Sequence, residues 1–439
     1  MSAKEEHKMS KHGMVKTVGT HFEYEDGTYF YPFGTTIYAL AHQTPELMEQ
    51  TFQTLKKSPF NKVRMCVFPK HYQYNNNEPR FYPFEKREDG SWNPEKPVKE
   101  YWDNLEQVIR RLDALEIQAD LVLFHSYDNW GFATMPQEDN LKYLEYCLQR
   151  LGNLDNVWWS LANEYDLLLS EISMEEWYEI EEFVASHNPK GHLISNHNCF
   201  KTWDMGRPNI THGSYQIKNL CYVADRIDKY KKPICIDECC YEGNLPEAWG
   251  NLSAEEMTAR FWMAISSGAY CTHGETFLDD EDIVWWAKGG ILKGKSPERI
   301  GFLRDIVESL PSPLVAYKEA PFEFMDNLPD EVKEIFTSSP AGRSFQAAIA
   351  QADPMEMTVM QTFEHEYKAC CDDKSAILNY LYQRCQAYAN LTLPEDKTYK
   401  VEVIDTWNMT RKTVLDNASG RVKVELPGQP YMAILATAN

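Results

Sequence analysis

The chain has 439 residues, 43% hydrophobic and 13% aromatic, which is enough to bury a sizeable core and excludes wholesale disorder. Lysine and arginine number 44 against 66 aspartates and glutamates, a formal charge of −22 at pH 7. Such a surface repels phosphates and anionic lipid, so it argues against nucleic acid and membranes as partners and suits a neutral or cationic ligand.

Met1 to Lys16 is polar, without the apolar run of a secretion signal. No stretch approaches the roughly 18 apolar residues of a membrane span. The 11 cysteines are scattered from Cys66 to Cys385 with no C-x-x-C pair, so reduced thiols and a cytoplasmic location are expected.

From about residue 30 to 310, short apolar or β-branched runs alternate with longer segments of helical period. The runs are Tyr31–Tyr38, Lys62–Phe68, Ala119–His125, Val157–Ala162, His192–His197, Ile210–Tyr215, Pro233–Asp237 and Ala269–Phe277. Between them, Trp102, Leu105, Val108, Ile109, Leu112 and Leu115 form one stripe at steps of three and four. Leu141, Leu144, Cys147, Leu148 and Leu151 form another. Eight such units predict parallel strands with right-handed crossovers, an α/β fold of the (β/α)8 barrel type.

After Pro311–Pro313 the texture changes to short alternating segments. These are Glu356–Phe363, Ser375–Tyr382, Ala387–Leu393, Thr398–Asp405, Lys412–Leu415, Arg421–Leu426 and Tyr431–Thr437, separated by polar turns. The pattern predicts a small antiparallel β-sandwich. The expected organisation is a catalytic barrel over residues 1–315 and a sandwich over 316–439.

Reactive groups in a barrel sit at the carboxyl ends of the strands. Those ends here are rich in polar groups: Tyr38 and His42 after strand one, Arg64 in strand two, and His125-Ser126-Tyr127-Asp128 after strand three. Asn163-Glu164 closes strand four, Asn196-His197-Asn198 strand five, His212 and Tyr215 belong to strand six, Asp237-Glu238 closes strand seven, and His273-Gly274-Glu275 strand eight. Trp130 and Trp285 are the aromatics expected to stack on a sugar, with Trp286 beside the latter. Asp128 is expected either to bind a hydroxyl or to cap its loop.

Two carboxylates stand out. Val157-Trp158-Trp159-Ser160-Leu161-Ala162-Asn163-Glu164 and Pro233-Ile234-Cys235-Ile236-Asp237-Glu238 are apolar strands, each closing in glutamate. The two glutamates stand 74 positions apart, about 25 per unit across three βα units. Strands four and seven face each other across an eight-stranded barrel, so both side chains can enter one mouth. Cleaving a glycosidic bond needs such a pair, one carboxyl to protonate the leaving oxygen and one to attack the anomeric carbon.

On these motifs the chain resembles the (β/α)8 glycoside hydrolases of clan GH-A, and within the clan the apiosidase-like group, which often carries a C-terminal β-sandwich. The resemblance implies that Glu164 is the acid/base and Glu238 the nucleophile. It implies that Asn163 binds the hydroxyl beside the anomeric carbon, that Tyr215 hydrogen-bonds the nucleophile, and that Arg64 orients it. His42, His125, Asp128, His197, His212, His273, Trp130 and Trp285 complete the expected sugar-binding set.

A retaining, exo-acting glycosidase acting on an oligosaccharide or plant glycoside is the expected function, with no cofactor. The competing reading is a non-catalytic carbohydrate-binding protein on a barrel scaffold. A metal-dependent hydrolase is disfavoured, since no His-x-His follows strand one and no H-E-x-x-H helix occurs. No phosphate loop or G-x-S-x-G elbow occurs either. Self-association into a homo-oligomer is left open.

Overall fold

The structure, a computed structural model, describes residues 12–281, 283–317, 330–358 and 365–439. Backbone contacts divide the chain into two compact units, with the main break between Leu310 and Pro311.

The first unit is a (β/α)8 barrel. Its strands are β1 (Phe33–Thr36), β2 (Lys62–Cys66), β3 (Gln118–His125), β4 (Val157–Asn163), β5 (Ile194–Ser195), β6 (Gly213–Gln216), β7 (Ile234–Glu238) and β8 (Tyr270–His273). They form one parallel sheet in the spatial order β5-β4-β3-β2-β1-β8-β7-β6. The edges β5 and β6 are joined outside the ladder. Thr211 N donates to Ile194 O at 2.9 Å, and Gln216 N to Asn198 Oδ1 at 3.3 Å.

The helices that cover the sheet form where their apolar stripes can be buried. Helix α1 (Pro45–Leu55) is capped by Thr44 with proline in its first turn. In α2 (Lys99–Asp113) Trp102, Leu105, Val108, Ile109 and Leu112 are buried, and in α3 (Gln137–Leu151) Leu144, Cys147, Leu148 and Leu151 are. Helix α4 (Met174–Ser186) starts with a Ser173–Glu176 capping box. Helices α5 (Val223–Tyr230), α6 (Ala254–Ile265) and α7 (Ser296–Glu308) complete the layer.

An antiparallel sheet of Val15–Val18, His21–Tyr24 and Tyr29–Phe30 was not expected from the sequence. Its Phe22 is buried against Trp158, Tyr270 and His212 at ring separations of 5.1, 5.3 and 5.6 Å, at the amino-terminal end of the barrel.

The barrel interior is polar rather than aliphatic. Lys62 Nζ donates to Asp237 Oδ1 at 2.6 Å and Asp120 Oδ2 at 3.1 Å. Ser214 and Thr272 donate to Asp237 at 2.5 and 2.8 Å. Burial would raise the Asp237 carboxyl, but the Lys62 and Arg64 charges hold it far below the usual aspartate range. This network pairs every buried charge it contains, the condition under which ionised groups tolerate an interior.

The second unit is a β-sandwich. One sheet holds β9 (Leu314–Ala316), β10 (Tyr367–Cys371), β11 (Ala376–Tyr380), β13 (Tyr399–Asp405), β14 (Thr410–Ala418) and β16 (Met432–Ala438). The other pairs β12 (Tyr388–Leu393) with β15 (Gly420–Glu425). Leu391, Leu393 and Val424 from the small sheet share a core with Tyr399, Val401 and Ile434 from the large one.

Two helices, Asp330–Ser338 and Pro340–Gln351, interrupt a region whose sequence suggested strands alone. The predicted strand Glu356–Phe363 is a correction where it can be followed: Glu356–Thr358 is helical, and 359–363 lie outside the described residues. Among the described residues no helix is long and apolar enough to cross a membrane.

Candidate active site

Glu164 and Glu238 meet at the carboxyl end of the barrel. Glu238 is the last residue of β7, and Glu164 directly follows β4. Glu164 adopts a left-handed backbone, φ 54° and ψ 56°. A residue other than glycine pays about 1–2 kcal/mol for that conformation, and here it turns the chain sharply from strand to 3-10 turn at the mouth. The Glu164 amide donates to His197 Nδ1 at 3.4 Å.

Gln216 bridges the pair. With its amide nitrogen on the side that faces only acceptors, that nitrogen lies 3.0 Å from Glu164 Oε1 and 3.2 Å from Glu238 Oε2. The two oxygens are therefore no farther apart than the sum of those distances. A bulge puts Gln216 there: Tyr215 pairs with Ile236, but Gln216 pairs with Glu238.

Tyrosines hold the carboxylates from the other sides. Tyr38 shares its one hydroxyl proton between Glu238 Oε1 and, at 2.6 Å, Asn163 Oδ1. Tyr127 donates to Glu164 Oε2, which also receives Asn163 Nδ2 at 3.2 Å. The Tyr241 ring is buried against the Glu238 charge. It lies so close over Gly274 that a Cβ there would stand 2.1 Å from a ring carbon, so only glycine fits.

Burial, and then the charge of Glu164, push the Glu238 carboxyl up to about 7. Glu238 therefore keeps a proton well into the pH range where an ordinary glutamate has lost it. Two carboxylates sharing a proton can supply an acid and a nucleophile at once.

The structure revises several expected roles. Tyr215 does not approach Glu238: its ring lies under the Arg226 guanidinium at 4.5 Å and its hydroxyl near Tyr230 and Asp204. Strand alternation sends Ser214 inward and Tyr215 outward, and Gln216 takes the inward place. Arg64 bonds Ser160 at 3.0 Å and Asn163 at 3.4 Å, so it orients Asn163 rather than the carboxylate of Glu238. His212 belongs to the barrel floor, with Phe22 and Trp158. His273 faces outward, stacked on Phe60 at 4.7 Å and bonded to Thr35 Oγ1 at 3.1 Å.

His42 stacks on Tyr101 and faces the Cys66 carbonyl at 3.3 Å, in the wall rather than the mouth. His125 faces the Phe68 carbonyl at 3.2 Å and lies near the Lys70 charge, while His197 sits beneath Glu164. Burial lowers His42 to about 4, His125 to about 3 and His197 well below its ordinary value, so all three are neutral. Asp128 caps its loop: its oxygens accept the amides of Trp130, Gly131 and Ala133 at 2.8–2.9 Å. Trp130 is a half-buried rim residue donating to Glu78 at 2.9 Å. Trp285 is buried in the wall on Thr35 Oγ1, and its neighbour Trp286 stands at the site, 5.4 Å from the Tyr38 ring.

Sequence reasoning missed Gln216, Lys70 and the bonding roles of Tyr38 and Tyr127. Lys70 is the lone cation in the aromatic run Phe68-Pro69-Lys70-His71-Tyr72, a signal available beforehand. It also missed Phe200, 84% exposed. Asp166 fixes that loop by accepting the amides of Cys199, Phe200 and Lys201 at 2.6–2.7 Å. Burial and then the Glu164 charge push the neighbouring Cys199 thiol up to about 12, which places this loop at Glu164.

Among the described residues, one group of side chains could share a metal ion: Glu242, His273 and Glu275. Their carboxylates accept the amides of Lys293 through Ser296, so they clamp the loop that leads into α7.

Residues 16–309 match the family described as Apiosidase-like, catalytic domain, and residues 363–437 match a domain of unknown function, DUF5605. A Bacteroides vulgatus crystal structure described as an inferred glycoside hydrolase is 32% identical; the match covers 98% of this chain and 83% of that one, with a TM-score of 0.81. A glycoside hydrolase family 5 structure from the same species, at 13% identity, covers 97% and 94% with a TM-score of 0.67, a likeness of fold. No curated protein matches.

Proposed function

The chain belongs to the apiosidase-like family within clan GH-A and is a glycosidase, and from that premise we propose that it is a retaining, exo-acting enzyme that trims an oligosaccharide or plant glycoside, with Glu238 as nucleophile and Glu164 as acid/base.

The observation that carries this reading is the shared Gln216 amide. Its two distances sum to less than the roughly 6.5 Å at which inverting pairs begin, and so favour a covalent intermediate over a water between the carboxylates. Glu238 attacks the anomeric carbon while Glu164 gives its proton to the leaving oxygen. Water then enters on that face, Glu164 takes a proton from it, and the Glu238 ester is released with net retention. Tyr38 and Gln216 hold the Glu238 oxygens in line. Asn163, fixed by Arg64 and Tyr38, is the donor for the hydroxyl beside the reacting carbon.

Burial supports exo action. Glu164 is 6% and Glu238 8% exposed, so a chain end reaches them more readily than a chain middle. The cysteines are all thiols, which suits a cytoplasmic enzyme working on small imported glycosides.

A panel of nitrophenyl glycosides and plant oligosaccharides, with the anomer of the first product followed by NMR, tests the proposal. Wild type is expected to release one monosaccharide with retained configuration, and Glu238→Gln and Glu164→Gln to lose nearly all turnover. An inverted product, or a Glu238→Gln enzyme near wild type, overturns it.

A further inference from the structure

Lys70 is 3% exposed and lies four residues beyond β2. Its ammonium stands 3.6 Å from the centre of the Tyr38 ring, 4.3 Å from Tyr127, 4.5 Å from Trp286 and 6.0 Å from Tyr72. Aromatic faces attract a cation, but they leave its N–H donors without lone pairs to bond. Among the described residues no carboxylate lies within ion-pair distance of Nζ and no acceptor within hydrogen-bond distance; Cys66, Glu238 and Glu164 act on it through space. The contrast with Lys62, bonded to two aspartates, is direct.

Lys70 is buried as a residue, yet its Nζ is not sealed off as the orphan atoms of the barrel wall are, so the ammonium opens onto space in which a ligand can supply the acceptor that the aromatic rings do not. The cage locates that ligand. Two of its rings belong to the tyrosines that donate to the catalytic pair, Tyr38 to Glu238 and Tyr127 to Glu164. Lys70 therefore borders the gap in which a sugar ring must lie to be attacked by one carboxylate and protonated by the other.

The charge of the site selects the kind of sugar. Lys62 and Arg64 are matched by Asp120 and Asp237. That leaves Lys70 facing the glutamate pair. In double displacement the pair carries one negative charge at each stage, on Glu238 once the shared proton has passed to Glu164 and then, once Glu238 is esterified and that proton has gone to the leaving oxygen, on Glu164. Lys70 is already balanced at both stages. A uronate would bring a second, unmatched negative charge into the interior, whereas a hydroxyl brings only the missing acceptor.

We propose that Lys70 is a substrate-contacting residue whose ammonium donates to a hydroxyl of a neutral glycone between Glu164 and Glu238. This rests on the glycosidase reading of that pair.

Wild type and Lys70→Met, which keeps the apolar stem in the cage, are assayed on matched nitrophenyl glycosides and glycuronides and titrated calorimetrically with the corresponding neutral monosaccharides and uronic acids. Wild type is expected to bind and turn over a neutral sugar at least tenfold better than its uronic acid. Lys70→Met is expected to lose at least tenfold in affinity and a hundredfold in kcat/KM on the neutral substrate. Should the variant fold poorly, the neutral-to-uronic comparison in wild type still decides. A variant within threefold of wild type, a wild type that binds no neutral monosaccharide, or one that prefers the uronic acid overturns the proposal. Glu238→Gln separates the two readings. If it is inactive while Lys70→Met is normal, only the role of Lys70 fails; if it is active, the reading of the pair itself fails.

Discussion

Tyr38 donates to Asn163 Oδ1 at 2.6 Å, tying the segment after the first barrel strand to the end of the fourth, while the same phenol reaches Glu238 at the end of the seventh. One hydroxyl thus fixes the spacing of residues that lie 125 and 200 positions away in the chain. Tyr38→Phe removes both bonds with little change in volume. A loss of about 10–100-fold in kcat is expected, with a midpoint of unfolding close to wild type. Steady-state kinetics beside a thermal melt check both. A kcat unchanged within twofold would mean that Gln216 alone positions the nucleophile.

The carboxyl of Glu238 carries a stability cost that depends on pH. Its folded value is raised to about 7, so the protonated form is favoured in the fold and stabilisation is complete below the unfolded value of about 4.3. It is lost as pH rises through 7. Glu238→Gln mimics the protonated form. It should match wild type in stability at pH 4 and exceed it at pH 8 by on the order of 3–4 kcal/mol; chemical denaturation at the two pH values reads this. Activity should fall over the same upper range, as the pair loses its single proton.

Asp237 behaves in the opposite sense. Its folded value is depressed, so it contributes stability above the ordinary aspartate value of about 3.9 and loses it as pH falls below that. Asp237→Asn leaves Lys62 with Asp120 alone and removes the charge that Ser214 and Thr272 are arranged to bond. A loss of about 3–5 kcal/mol is expected at pH 7, shrinking towards pH 3. Urea unfolding at both pH values measures it.

Tyr215→Phe tests which neighbour of the bulge serves the site. Its hydroxyl lies towards Arg226, away from both glutamates. Turnover should stay within about twofold of wild type, while Gln216→Leu should lose at least tenfold because it strips a donor from both carboxylates. Equal losses in the two variants would contradict the bulge geometry.

Phe200 stands in solvent on the loop whose Cys199 feels the charge of Glu164, the group proposed to protonate the leaving oxygen. A ring fixed there can stack on the leaving group. Phe200→Ala should raise KM about threefold to tenfold for glycosides with a large aglycone and leave small leaving groups unaffected; a comparison of methyl and aryl glycosides reads the split.

Strand–helix alternation and the shift to short alternating segments after Pro313 were legible in the sequence, because both follow from local periodicity and from the need to bury one face. The position of Glu164 and Glu238 at strand ends was legible for the same reason. The histidines were not: polarity at a strand end does not reveal facing, so His212 belongs to the floor and His273 to the outer wall. The sequence by itself determined which segments become strands and which glutamates close them. Only the tertiary structure decided that Gln216 rather than Tyr215 meets the pair, that Trp286 rather than Trp285 packs on Tyr38, and that Lys70 is caged by Tyr38, Tyr127 and Trp286. One bulge at Tyr215/Gln216 turns Gln216 inward and one left-handed residue at Glu164 turns the chain at the mouth, and both depend on pairing and contacts between strands far apart in the chain.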